Sequence, residues 1–171
     1  MRGYYPGFFL FLLLGSCQRI GAPATPGAAT QNRRDTRPAS PDFTLPTAAD
    51  KQLVLSSLRG SYVLLDFRAA GCAECQAENA NLRKLYSQFY HRGLVIVSVW
   101  QTADPAAWRA TVAAEALPWS QVLDSSGEAA RAYEVSQQPT AVLLDPQGYE
   151  LARNLQGRDL GQKISEYIPL D

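Results

Sequence analysis

The chain has 171 residues, 46% of them hydrophobic and 19% charged, with 16 basic and 16 acidic side chains. Balanced charge of this kind leaves no footprint for nucleic acid or for a highly charged substrate. His91 is the single histidine, so a Cys-His or Ser-His-Asp hydrolase would have to rely on a residue that reads as the end of a helix, where a cation complements the dipole.

Arg2 is followed by the apolar stretch Phe8 to Leu14 and then by Gly15-Ser16-Cys17. The stretch falls short of the roughly 20 residues that a spanning helix needs and fits the apolar part of a signal peptide. Leu14-Gly15-Ser16-Cys17 resembles a bacterial lipoprotein lipobox. That resemblance implies cleavage before Cys17, lipid on its sulfur and a mature chain anchored to a membrane. Gln18 next to it, rather than Asp, points by analogy to the outer membrane. A plain secretory signal containing a cysteine is the alternative. Residues 1–16 are thus expected to form a signal peptide. Residues 17–39, rich in Ala, Pro, Thr and Arg and lacking periodicity, are expected to form a flexible tether.

Residues 40–171 read as one α/β domain. Asp42–Leu45 and Gln52–Leu55 suggest two short strands around a turn. Tyr62–Phe67 is a near-continuous apolar run, as in a strand covered on both faces. A helix is predicted from about Cys75 to His91, with Leu82, Leu85 and Phe89 on its inner side at i, i+3 and i+7. Gly93–Val99 is a second buried strand. Asp104-Pro105 opens another helix, Asp as N-cap and Pro in the first turn, with Trp108, Val112 and Leu117 inward. A short helix follows over Gly127–Tyr133 and a third buried strand over Thr140–Leu144. A turn at Asp145–Gly148, a strand over Glu150–Leu155 and a helix carrying Leu160, Ile164 and Ile168 complete the chain. Strand–helix–strand crossovers require parallel pairs, and the Gln147-Gly148 turn requires an antiparallel one, so the central sheet is mixed.

Cys72-Ala73-Glu74-Cys75 lies between the first buried strand and its helix. A helix N-terminus presents unpaired N–H groups and a positive dipole end, which stabilise a thiolate and lower its pKa. Cys72 is therefore assigned as the attacking nucleophile, and Cys75, one turn along, as the thiol that resolves the mixed disulfide. A static disulfide or half of a metal site would use the same spacing, but Cys72, Cys75 and His91 do not supply four ligands with recognised spacing, and no metal is expected. Glu74 places a carboxylate beside the forming thiolate and opposes it. With no histidine between the cysteines, this favours a reducing rather than a strongly oxidising couple.

Residues 40–171 resemble the TlpA/ResA-type thioredoxin family of tethered bacterial thiol–disulfide oxidoreductases. The matching stretches are Ser40-Pro41-Asp42-Phe43-Thr44-Leu45, Leu58-Arg59-Gly60, Val63–Phe67, Cys72–Cys75, Glu78 and Gln138-Pro139-Thr140 running into Ala141–Pro146. The resemblance implies a thioredoxin fold: a central mixed sheet flanked by helices, an N-terminal β-hairpin extension and a helix inserted after the second core strand. It also implies reduction or exchange of disulfides in extracytoplasmic proteins, with an upstream thiol donor and no cofactor beyond the redox-active Cys72–Cys75 disulfide. It places a cis peptide before Pro139, whereas Pro139 taken alone reads as a trans strand start. The Gln138 backbone would then face the dithiol and pair with a client chain. Asp66 matches the buried acid that takes a proton from the resolving cysteine. By itself it also reads as a partly solvated strand-end acid.

Departures from the pattern concentrate at the redox site. Arg68 and Gly71 stand where the family carries tryptophans, and Glu74 stands where it carries proline. Arg68 is expected either to steady the Cys72 thiolate or bind an acidic partner, or to be a solvated strand-end charge. Two other functions fit parts of the sequence. One is a redox-silent binding module or thiol metal chaperone of the same fold. The other is a peroxiredoxin-type peroxidase, whose Pro-x-x-x-Thr/Ser-x-x-Cys pattern is absent before either cysteine.

Overall fold

The computed structural model describes residues 37–170. The expected signal peptide, the lipidation site Cys17 and all but the last few residues of the tether lie outside them.

The described chain opens with an antiparallel hairpin of β1 (Thr44–Pro46) and β2 (Gln52–Val54), then a 3₁₀ turn over Leu55–Leu58. Next come β3 (Tyr62–Ala69), α1 (Ala73–Phe89), β4 (Leu94–Gln101) and α2 (Pro105–Glu115). The chain continues through β5 (Ser120–Leu123), α3 (Glu128–Ala132), β6 (Thr140–Leu144), β7 (Glu150–Leu155) and α4 (Gly157–Tyr167). The five-stranded sheet runs β5-β4-β3-β6-β7. β3 is parallel to β4 and β4 to β5, while β6 is antiparallel to both β3 and β7. This is the expected thioredoxin fold, with the hairpin added in front and α2 inserted after the second core strand.

Alternation along β3 builds both faces of the sheet. Leu64 packs with Leu82, Leu85 and Phe89 of α1 and with Leu160 and Ile164 of α4. Val63, Leu65 and Phe67 pack on the other side with Ala129, Ala130 and Tyr133 at α3, and with Phe43 and Leu53 of the hairpin region. Burial on both faces explains why the strand reads as one apolar run.

Three details differ from the sequence-based expectation. β3 continues two residues beyond Phe67, so Asp66 and Arg68 lie inside the strand, not at its end. α1 starts two residues before Cys75, with Cys72 as its N-cap. β5 was not anticipated: Ser-Gln-Val-Leu is four residues long and half polar, and its strand form comes from parallel pairing with β4 at the sheet edge.

Candidate active site

Cys72 caps α1 with extended backbone (φ −75°, ψ 105°), and its Sγ accepts the Cys75 backbone N–H at 3.0 Å. A sulfur in this place receives one of the helix's open amides and sits at the positive end of its dipole. The preceding turn runs through Gly71 at φ +74°, a backbone region in which side chains are strained. Glycine adopts this conformation without that strain. Cys72 is half-buried and Cys75 is only 2% exposed. The two sulfurs form a disulfide.

Glu74 is exposed, with Oε2 4.0 Å from Cys72 Sγ. Its carboxylate therefore lies beside the sulfur whose negative charge it would oppose. Gln138-Pro139 is a cis peptide, both residues half-buried, and the Gln156 side-chain amide donates to the Pro139 carbonyl. Thr140 pairs with Phe67 across the antiparallel β6–β3 ladder. The start of β6 and the end of β3 therefore share one end of the sheet, and the Pro139 turn and the Cys72 turn both leave from that end.

Beneath the cysteines, β3 carries two buried charges on the α1 side. Asp66 is 3% exposed. Its parallel-strand partner is Ser98, whose Oγ donates to Asp66 Oδ2 at 2.8 Å and accepts the Trp119 indole N–H at 2.9 Å. Burial pushes the Asp66 carboxyl above the usual aspartate value, against Arg68 and the Ser98 hydrogen bond, which pull it down. The reading of Asp66 as a partly solvated strand-end acid therefore does not hold: the side chain is buried.

Arg68 requires a correction. From sequence it is expected to steady the Cys72 thiolate, to bind an acidic partner or to be a solvated strand-end charge. Its relative exposure is 0%, which rules out the solvated charge and direct contact with a partner. Its register partner in β4 is Trp100, and the guanidinium lies 4.4 Å from that ring's centroid. Nη1 is 3.6 Å from Asp66 Oδ2 and 3.5 Å from Glu115 Oε2, while Nη2 donates to the Cys75 carbonyl at 3.0 Å. The physical reason is compensation: a buried cation needs counter-charges, which Asp66 and Glu115 supply. The Cys75 carbonyl accepts from Nη2, while Nε and Nη1 make no hydrogen bond.

Ser98, Trp100 and Glu115 thus belong to the site although sequence reasoning did not select them. Ser98 had a signal, as the one hydroxyl in an apolar strand. Glu115 had none, since it reads as an ordinary acid at the end of a surface helix.

Residues 37–149 match the model of the AhpC/TSA family. Thiol-disulfide oxidoreductase ResA of Bacillus thuringiensis subsp. konkukian is 24% identical over 162 residues, covering 94% of this chain and 93% of the relative. ResA of Bacillus subtilis is 28% identical over 131 residues, 77% of this chain and 73% of the relative. Among solved structures, a thiol-disulfide oxidoreductase from Bacteroides fragilis is 32% identical with a TM-score of 0.70, covering 76% of this chain and 99% of that one. The thioredoxin domain of a thiol-disulfide oxidoreductase from Bacteroides vulgatus is 28% identical with a TM-score of 0.72, covering 78% and 98%.

Proposed function

We propose that this chain, which belongs to the AhpC/TSA family and is a thiol–disulfide oxidoreductase of thioredoxin fold, reduces or exchanges disulfides of extracytoplasmic proteins through Cys72. The observation that carries this reading is the Cys75 amide directed at Cys72 Sγ at the N-terminus of α1.

In the reducing direction the Cys72 thiolate attacks one sulfur of a client disulfide. A mixed disulfide forms, and the other client sulfur leaves with the electron pair and takes a proton from solvent. Cys75 then gives its proton to Asp66 and attacks Cys72 Sγ. The Cys72–Cys75 disulfide forms, and the second client sulfur departs as a thiolate. An upstream thiol donor restores the dithiol with two electrons. The backbone at Gln138 offers the client an edge to pair with beside the reacting sulfur.

Glu74 and the lack of a histidine between the cysteines support a reducing couple. A measured potential near the strongly oxidising limit of this fold, about −120 mV, contradicts that part. Residues 1–16 act as a signal peptide in this reading. Lipid on Cys17 and the tether over 17–39 hold the domain at the cell envelope, facing the periplasm.

Reduction of insulin disulfides by the wild type and Cys72→Ser tests the function. The wild type is expected to turn over and the variant to be inactive. Equal rates contradict it. Loss of the chain from the membrane fraction in Cys17→Ser tests the anchor.

A further inference from the structure

A buried guanidinium next to the resolving cysteine poses a problem for the mechanism above. If Asp66 were the only counter-ion of Arg68, the pair would hold Asp66 as a carboxylate and leave it a poor place for a proton. The cluster has a second acid. Glu115 ends α2 and brings Oε2 to 3.5 Å from the same Arg68 nitrogen that lies 3.6 Å from Asp66.

Glu115 is fixed there from two directions. Asn79, one turn beyond Cys75 on α1, donates from Nδ2 to Glu115 Oε2 at 3.1 Å. Arg83, one further turn along, donates from Nη2 to the Glu115 carbonyl at 2.5 Å, and Ala116 turns the chain away at φ +45°. The inserted helix is thereby bolted to the helix that carries the dithiol. Its acid reaches a guanidinium that also holds the Cys75 carbonyl at 3.0 Å.

We propose that Glu115 is a positioning residue of the redox pair: by sharing Arg68 it leaves Asp66 able to take up and return the proton that Cys75 exchanges. The inference rests on the thiol-exchange reading and extends it to a residue on the inserted helix. Fully ionised, Asp66, Arg68 and Glu115 carry one excess negative charge, so one proton enters the cluster at low cost. Asp66 takes it, being the buried acid whose pKa is raised, chiefly by desolvation. The groups that act on Asp66 are Arg68 in its own strand, Ser98 in β4, Glu78 in α1 and Glu115 in α2. Glu78 is occupied elsewhere, accepting from Asn81 and from the Gly157 amide that opens α4.

The test is single-turnover reaction of the reduced full chain, in a Cys17→Ser background, with dithiobis(nitrobenzoate). The first nitrothiobenzoate release reports attack by Cys72. The second reports displacement by Cys75, and its acidic inflection reports Asp66. Removing the Glu115 charge makes Asp66 easier to ionise. In Glu115→Gln the inflection of the second release should therefore move down by about one pH unit, measured against the first release as internal reference. Glu115→Asp, which keeps the charge, should return it toward the wild type. A Glu115→Gln inflection coincident with the wild type overturns the inference alone. Absence of a second release in the wild type overturns the exchange reading and this inference with it. Carboxyl-carbon NMR of the wild type gives a measurement independent of the variant's folding. Asp66 should titrate above the ordinary aspartate range, and titration within or below that range overturns the proposal.

Discussion

The Cys75 backbone N–H points at Cys72 Sγ from 3.0 Å, while the Cys75 side chain is buried behind it. One sulfur is thus presented and the other held in reserve. Cys75→Ser is expected to accumulate a client joined through Cys72, visible as a mass increase that dithiothreitol reverses. Cys72→Ser should trap nothing. Adducts that form equally through either cysteine contradict this division of labour.

Glu74 lies 4.0 Å from the reacting sulfur and is open to solvent. Removing its charge in Glu74→Gln should stabilise the Cys72 thiolate, raising the alkylation rate at neutral pH about two- to fivefold and making the couple more oxidising. The effect should shrink in high salt, since an exposed charge is screened. A slower variant contradicts the assignment.

Arg68 holds the buried Asp66 carboxyl, the half-buried Glu115 carboxyl and the Cys75 carbonyl at once. Arg68→Met removes the cation and leaves those acids unpaired, a change expected to cost about 3–5 kcal/mol in urea unfolding. Arg68→Lys should recover only part of this, because an ammonium lacks the planar fork and the stacking face offered to Trp100. A variant as stable as the wild type rules out the compensation described here.

Stability should also depend on pH through Asp66. Burial raises its pKa in the folded chain above the unfolded value, so the folded state binds the extra proton between those two values. The Asp66 contribution is fully present below the ordinary aspartate range and is lost as pH rises through the raised value. Urea midpoints taken from acid to neutral pH should show this fall in the wild type and a flatter profile in Asp66→Asn. Parallel profiles contradict the burial argument.

Most of the scaffold was legible in the sequence because its signals are local. The apolar run at Val63–Phe67, the Asp104-Pro105 helix start and the spacing of Leu160 and Ile164 each sit within a few residues, and each element formed. The placement of Cys72 and Cys75 at the start of α1 was legible for the same reason. Arg68 was not, because the groups that neutralise it come from β3, β4, α1 and α2 and meet only after folding. A charge next to a strand end reads as solvated until its partners are known. Asp66 was ambiguous for a related reason: two more residues of β3 decide whether it is interior, and Arg68 as one of them hides the strand's continuation.

The acidity of the Cys72 sulfur is read from its alkylation rate at neutral pH in reduced Cys75→Ser. Iodoacetamide, with an unstructured cysteine peptide as reference, should modify Cys72 roughly tenfold faster than the peptide. A rate no greater than the peptide's contradicts the account.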